Sequence, residues 1–405
     1  MEEVVIVAGT RTPIGRAFKG ALKEHRPDDL LAHVINGALG QVPSLETSLI
    51  EDVVVGCAQP AGEAGYNMAR VAGLLSGLSG AGGTTVNRYC ASSLQGLRMA
   101  YHAIAAGELE AMVVAGVETV SRFGQGKSDG MPDTKNPKFA KAQARSEARS
   151  GENTERWQDS KTLADIYISM GQTAENVAQY ENIGREEMDD FAMRSQSRAV
   201  AGLESGFFKS EITPVDLGEG GGLAHDECIR PGTKLEKLAT LKPVFRPDGK
   251  VTAGNACPLN DGAVALVVTS RSFAQHHGLK PRAKIIGSSV SGVNPEIMGL
   301  GPVSATQRLL KRLGKNMGAM DLVEMNEAFA AQVIPCAKHL EIPGDKLNIH
   351  GGAIALGHPF GMTGARLILT LMNGLKVRGG RFGLATLCVG GGQGMSMVIE
   401  NLQDA

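Results

Sequence analysis

Three short segments carry residue types suited to nucleophilic chemistry. GGAIALGHPFG (351–361) sets His358 on a glycine-lined turn, and LCVGGGQG (387–394) sets Cys388 on another, thirty positions later. NRYCASSLQG (87–96) puts Cys90 where an apolar strand hands over to a helix. Two thiols and one imidazole on turns that let a substrate backbone close in suggest acyl chemistry, with a separate task for each sulfur. An acyl-carrying thiol cannot also take an α-proton, so a second base is needed.

Each residue has a bland reading beside the chemical one. Cysteine is among the most buried residue types, yet a thiol at a helix N-terminus meets the positive end of the macrodipole. That placement predicts a pKa below the usual value of about 8.5 and a reactive thiolate. Pro359 restricts His358 to extended backbone, and the imidazole there can take a proton from a thiol or donate to an oxyanion. Of the other eight histidines, only His350 in NIHGG sits in a similar frame. The loop after Cys388 matches neither GxxxxGK[ST] nor a GxGxxG opening a helix. Its amides, Gly390 among them, could instead form an oxyanion hole. NEAFA (326–330) supplies Asn326 at the end of a strand, where an amide can fix a water or a thioester oxygen.

The elements that must position these residues follow from periodicity. VVIVAG (4–9), EDVVVGCA (51–58), GTTVNRY (83–89) and AMVVAGVE (111–118) read as buried strands. Helices are expected over 30–39 and 91–106, the second with Leu94, Leu97, Tyr101, Ile104 and Ala105 on one face and Gly107 as its stop. This order implies a buried, largely parallel sheet. Residues 122 to about 160 are charged and poor in large apolar side chains, and amphipathic helices follow over about 173–205. The chain returns at 241–256 to a strand over 261–270. A second half shows strands at 282–290, 321–327 and 347–352, helices near 304–314, 328–340 and 361–374, and a closing hairpin of 382–389 with 394–401 across GGGQ. The two halves share an order of elements, and each offers turns to a common cleft.

Bulk properties narrow the class. A chain of 405 residues with 42% hydrophobic and 20% charged content fits a globular protein of two or three lobes. A net charge of −1 argues against nucleic acid as the main partner. No apolar run reaches the roughly 20 residues that cross a bilayer, so no membrane partner is expected. The N-terminus has no signal-peptide pattern. Six scattered cysteines form neither a CxxC pair nor a zinc-knuckle spacing, which disfavours disulfides and metal. The cytoplasm is the expected compartment.

Taken together, RTPIGR, NRYCASSLQ, GVETVSR, MGQTAENVA, IRPGT, LKPVFRPDGKVTAGN, DGA, NEAFAAQ, GGAIALGHP and CVGGGQG closely resemble the thiolase family, nearly end to end. The resemblance implies a five-layered αβαβα fold of two similar halves plus a loop domain. The corresponding boundaries are 1–121 with 252–274 for the N-terminal half, 122–251 for a loop domain covering coenzyme A, and 275–405 for the C-terminal half. It implies that Cys90, activated by His358, attacks an acyl-CoA thioester, while Cys388 exchanges a proton with the acetyl-CoA methyl group. One oxyanion hole would be His358 with a water on Asn326; the other would be the backbone N–H groups of Cys90 and Gly390. Met170, Met298 and Phe329 would approach the acyl group, and Arg230 the nucleotide. Coenzyme A and acyl-CoA would be substrates, with no metal, flavin or nicotinamide, and the assembly a homodimer or homotetramer.

Some positions depart from the family pattern. Ser169 stands where many biosynthetic members have histidine, Cys257 where serine is common near the pantetheine, and Met362 where alanine is frequent. These weaken a strictly acetoacetyl-specific reading. A β-ketoacyl synthase-like condensing enzyme would use two histidines and a malonyl unit, which Cys388 and a single GHP histidine disfavour. A non-catalytic acyl-CoA-binding relative would typically lack one of the four catalytic side chains, and all four are present.

Overall fold

The computed structural model describes residues 2–123, 132–152, 155–218 and 221–403. Its strands are β1 (Val4–Arg11), β2 (Gly15–Arg16), β3 (Asp52–Gly56), β4 (Thr84–Val86), β5 (Ala111–Thr119), β6 (Val215–Asp216), β7 (Gly222–Leu223), β8 (Asn260–Ser270), β9 (Ala283–Gly292), β10 (Leu322–Met325), β11 (Phe382–Val389) and β12 (Gln393–Asn401). Hydrogen bonding links them in the order β10-β11-β12-β9-β1-β8-β5-β3-β4, with β2 on β8 and with β6 and β7 as a separate pair. The two halves of this sheet meet where Val5 and Ile6 pair with Lys284 and Ala283.

Strands buried on both faces explain the unbroken apolar runs. In β1, Val4 and Ile6 face one core while Val5 and Val7 face another. The central core draws residues from both sheet halves and from the helices Ser92–Ala106 and Phe360–Arg378, which therefore lie between them. The helices Pro27–Leu39 and Met68–Leu75 cover the outer face of the N-terminal half. Gly301–Arg312 and Ala330–His339 cover the other. Five layers result. The two central helices cross closely at Gly364, where a Cβ would lie 2.5 Å from the Leu94 backbone nitrogen.

Two expectations are corrected. The sheet is mixed rather than largely parallel: β3 pairs in parallel with β4 and β5, and β10 with β11, but β8 runs antiparallel between β1 and β5. The return of β8 from a distant part of the sequence sets that pairing, which local periodicity does not report. The segment 347–352 is also not a strand; Leu347 makes a single bridge to Val323, and the chain then turns.

The connection from β5 to β8 holds the helices Ala140–Ala148, Met170–Tyr180 and Arg185–Glu204. Of the charged stretch, residues 124–131 and 153–154 lie outside the described residues. The connection leaves the N-terminal half, but Ala174, Ala178, Met188, Phe191 and Leu238 pack with the outer helices of the C-terminal half. Buried Glu296 anchors it, accepting from the Trp157 indole N–H at 2.8 Å and the Asp165 amide at 3.0 Å. No helix is long and apolar enough to cross a membrane among the described residues.

Candidate active site

Cys90 stands on a tight elbow between β4 and the helix Ser92–Ala106. The Asn87 side chain donates to Ala58 O at 3.1 Å and accepts from the Tyr89 amide at 2.8 Å. The Ser92 hydroxyl accepts from the Arg88 amide and donates to Tyr89 O, at 2.9 and 2.6 Å. These bonds hold Tyr89 at φ 43°, a left-handed conformation unfavourable for a bulky residue. Strain next to the sulfur presents Cys90 at the head of the helix.

The expected low thiol pKa is overturned. Burial pushes Cys90 up to about 12, although the N–H of Gly390 and its own N–H pull the other way. Cys90 retains some accessible surface, but desolvation outweighs these amides and the sulfur rests as a thiol. Activation therefore requires a base. Gly390 comes this close because it lacks a side chain: a Cβ there would lie 3.2 Å from the Tyr89 ring.

The base is held from both sides. The His358 backbone N–H donates to Asn260 Oδ1 at 2.9 Å. Its Nδ1 lies 2.6 Å from Thr363 Oγ1, whose own hydrogen goes to Pro359 O at 2.8 Å. Thr363 must then accept, so Nδ1 carries the ring proton and Nε2 keeps its lone pair. Asn326 Nδ2 stands 3.2 Å from that Nε2. Asn326 follows β10 and is fully buried, and its Oδ1 has no partner among the described residues. A buried amide oxygen left over beside an imidazole suits a bound water or a substrate donor. Burial, followed by the charge of Arg366, lowers the His358 pKa to about 3, so the ring is neutral near pH 7.

Cys388, fully buried, ends β11 opposite Gly394. Its thiol is pushed well above the ordinary range, first by burial and then by the neighbouring Cys90, Cys336 and Cys257 thiols. The two sulfurs, remote in sequence, thus lie within electrostatic reach of each other. Cys257 is likewise pushed up by burial and by Cys90.

A cleft of about 400 Å³ opens over Cys90. Met170, Ile166, Ile168, Phe360, Gly390 and Tyr89 line it, and Lys135 is its one charged side chain among the described residues. Met298 and Phe329 are buried in the outer core of the C-terminal half, where Phe329 meets Phe245 edge-on, and neither is among the residues that line the cleft. Arg230 is exposed, its amide held by Gln196 at 2.8 Å, and it is not among the lining residues. Among the described residues, no group of three His, Cys, Asp or Glu side chains could hold a metal.

Several participants escaped the sequence reading. Thr363 looked like an ordinary helix residue, although its position five residues after His358 was a usable signal. Glu118, within GVETVSR, accepts from the amides of Ala58, Gln59 and Gly361 at 2.9, 3.1 and 2.8 Å, tying the cleft wall to the head of the second central helix. Burial raises its pKa to about 7. Lys135 gave no signal at all.

Residues 4–272 match the family model "Thiolase, N-terminal domain", and residues 279–401 match "Thiolase, C-terminal domain". The chain is 45% identical to a beta-ketoadipyl-CoA thiolase of Pseudomonas aeruginosa, over 99% of each. It is 44% identical to a 3-oxoadipyl-CoA/3-oxo-5,6-dehydrosuberyl-CoA thiolase of Escherichia coli, over 99% of this chain and 100% of that protein. Its fold is similar to human mitochondrial 3-ketoacyl-CoA thiolase in complex with CoA, with a TM-score of 0.85, 34% identity, and coverage of 99% and 98%.

Proposed function

The chain belongs to the thiolase family, and from that premise we propose that it cleaves 3-ketoacyl-CoA with coenzyme A through an acyl-Cys90 intermediate. One observation carries the reading: a buried, neutral imidazole beside the Asn326 amide whose Nε2 keeps its lone pair free of the ring proton, in a chain whose Cys90 and Cys388 thiols lie within electrostatic reach of each other. His358 takes the Cys90 proton as sulfur attacks the ketone carbonyl. The Cα–Cβ bond of the substrate breaks, and Cys388 protonates the departing acetyl-CoA enolate, whose oxygen is held by His358 and by a water on Asn326. The Cys90 and Gly390 amides hold the tetrahedral oxyanion. Coenzyme A then gives its thiol proton to the Cys388 thiolate and takes the acyl group, and His358 returns its proton to the departing Cys90 thiolate, restoring both cysteines.

Incubation with acetyl-CoA, read by intact mass, is expected to add one acetyl group. The label should vanish in Cys90→Ala and persist in Cys388→Ala. A label that survives loss of Cys90 overturns the assignment, as does a requirement for malonyl thioester.

Acyl chains ending in a carboxylate are proposed as the preferred class. Two relatives are named for 3-oxoadipyl substrates, and the apolar cleft here offers one ammonium, Lys135, with Nζ 5.9 Å from the Tyr167 ring centre. A charge-assisted contact of about 1.5 kcal/mol corresponds to roughly tenfold. Lys135→Met should therefore lower kcat/KM about tenfold for 3-oxoadipyl-CoA and leave 3-oxohexanoyl-CoA, of equal length, almost unchanged. Equal losses on both substrates would remove Lys135 from this role. A homodimer or homotetramer is also proposed: β4 is an edge strand with its outer side unpaired among the described residues, as an isologous partner would need. Light scattering of the purified chain decides it.

A further inference from the structure

The helix Phe360–Arg378 is buried along most of its length, yet it carries Arg366, 1% exposed, at the centre of the molecule. Arg366 Nη1 lies 3.5 Å from Oε2 of Glu324, itself 3% exposed. The geometry is poor for a hydrogen bond. All three guanidinium nitrogens and Glu324 Oε2 lack hydrogen-bond partners among the described residues. Such a pair is a costly way to hold a core, because a well-packed apolar pair of similar volume is often as stable or more so. Retained charge of this kind calls for another reason.

Placement supplies one. Glu324 lies in β10 and Asn326 follows its last residue, with its amide still bonded to Thr386 O at 3.0 Å, so the two, two residues apart, share a face. Thr363 and Arg366 are three apart on the helix and share a face. The same two elements thus make two successive cross-contacts. One is Asn326 to His358, whose ring Thr363 holds; the other is Glu324 to Arg366, one step deeper.

We infer that the Glu324–Arg366 pair is a positioning device for the active site, fixing the spacing of Asn326 and His358 and keeping the imidazole uncharged between turnovers. This rests on the thiolase reading given above. Arg366 acts on His358 through charge. The Arg366 cation opposes formation of an imidazolium, and it makes any imidazolium that does form quick to give its proton back to a leaving thiolate. Burial raises the Glu324 carboxyl to about 8, so near neutral pH it braces the guanidinium more than it neutralises it. Around the pair stand Glu327 from the loop after β10, Glu211 and Arg11 beside Thr370 one helical turn further on, and Arg198 from the helix Arg185–Glu204. The Cys90 and Cys388 thiols rest uncharged, so Arg366 is the cation that bears on the ring.

The test compares Arg366→Met, Arg366→Lys and Glu324→Gln by melting temperature and by the pH profile of kcat/KM for acetoacetyl-CoA thiolysis. Removing the cation should raise the acid limb of Arg366→Met by about one pH unit or more and lower kcat by up to about 10²-fold through misplacement. Arg366→Lys should keep the limb low, and Glu324→Gln, which leaves the cation in place, should not raise it. Opposite behaviour of the two partners is the signature, since loss of a merely structural pair would move both alike. An Arg366→Met acid limb that coincides with the parent's, or limbs rising together in Arg366→Met and Glu324→Gln, would overturn the inference. If Arg366→Met does not fold, the other two variants decide: a raised limb in Glu324→Gln or in Arg366→Lys overturns it. Failure of the thiolase reading shows separately, as absence of Cys90-dependent acetylation in the parent protein.

Discussion

The two halves of the molecule use one strand plan for different purposes. In the N-terminal half the order is β1-β8-β5-β3-β4; in the C-terminal half it is β9-β12-β11-β10, followed by the Leu347 bridge where β4 would stand. The senses match as well: β5–β8 and β11–β12 are antiparallel, and β3–β5 and β10–β11 are parallel. Each half then sends its chain into a central helix, with Cys90 just before one and His358 just before the other. The halves part company at one equivalent connection. Between β5 and β8 the chain spends residues 120–259 on a long connection, of which Ala174, Ala178, Met188, Phe191 and Leu238 pack over the opposite half; between β11 and β12 it spends residues 390–392 on a turn that aims an amide at Cys90. A repeated scaffold thus fixes where reactive groups can stand, and the connections decide what they do.

The comparison breaks most readily where the two central helices touch. Gly364→Ala sets a methyl group 2.5 Å from backbone at Leu94, and backbone cannot step aside as a flexible side chain could. A loss of about 3 kcal/mol is expected, read as a lowered midpoint in urea with m unchanged. A midpoint equal to the parent's would mean that the helices do not cross this tightly.

Next in size is Thr363→Val, which keeps shape and removes the acceptor of the His358 Nδ1 proton. The ring could then turn over its tautomer and present N–H where a lone pair is needed. Acylation of Cys90 should slow by about 10²-fold, with melting changed by little. Thr363→Ser should recover most of the rate, because the hydroxyl returns. Equal rates in valine and serine variants would show that the hydroxyl does not set the tautomer.

How far the sequence reveals this site depends on what each feature rests on. Apolar periodicity located most of the strands and helices, the strand-to-helix handover marked Cys90, and the glycine frames around His358 and Cys388 marked turns that admit a substrate. The order of strands was not legible, because the insertion of β8 between β1 and β5 depends on partners far away in the chain. Tyr89 gave no sign of its left-handed φ, a conformation that bulky residues take only under surrounding constraint. The protonation of Cys90 was misread for a related reason. A helix end acts locally and is visible in sequence; the burial that outweighs it comes from segments brought together only by folding.

A smaller effect tests the short connection. Gly392 has φ 81°, and a Cβ there would meet Val293 O at 2.4 Å. Gly392→Ala is expected to cost about 1–2 kcal/mol and to draw the Gly390 amide away from Cys90, lowering kcat more than it raises KM. A loss confined to stability would detach the turn from the oxyanion hole.

The smallest expected change is an absence of change, and it bears on how the halves cooperate. A histidine at its usual pKa of about 6.5 would lose most of its base function by pH 5.5. The folded His358 pKa is lowered to about 3, so the ring stays neutral as pH falls through that range and begins to protonate only near the lower value. The rate of Cys90 acylation should therefore vary less than about twofold between pH 7 and pH 5.5, after correction for any unfolding. Unfolding itself runs the other way: the unfolded histidine binds a proton below about 6.5 while the folded one does not, so this group's contribution to stability diminishes as pH drops below that value. Stopped-flow acylation beside a melting curve at each pH separates the two. A rate that falls with a midpoint near 6.5 while the protein remains folded would mean that the ring is hydrated and open. The neutral, doubly held base supplied by the C-terminal half would then not be what activates the buried thiol of the N-terminal half.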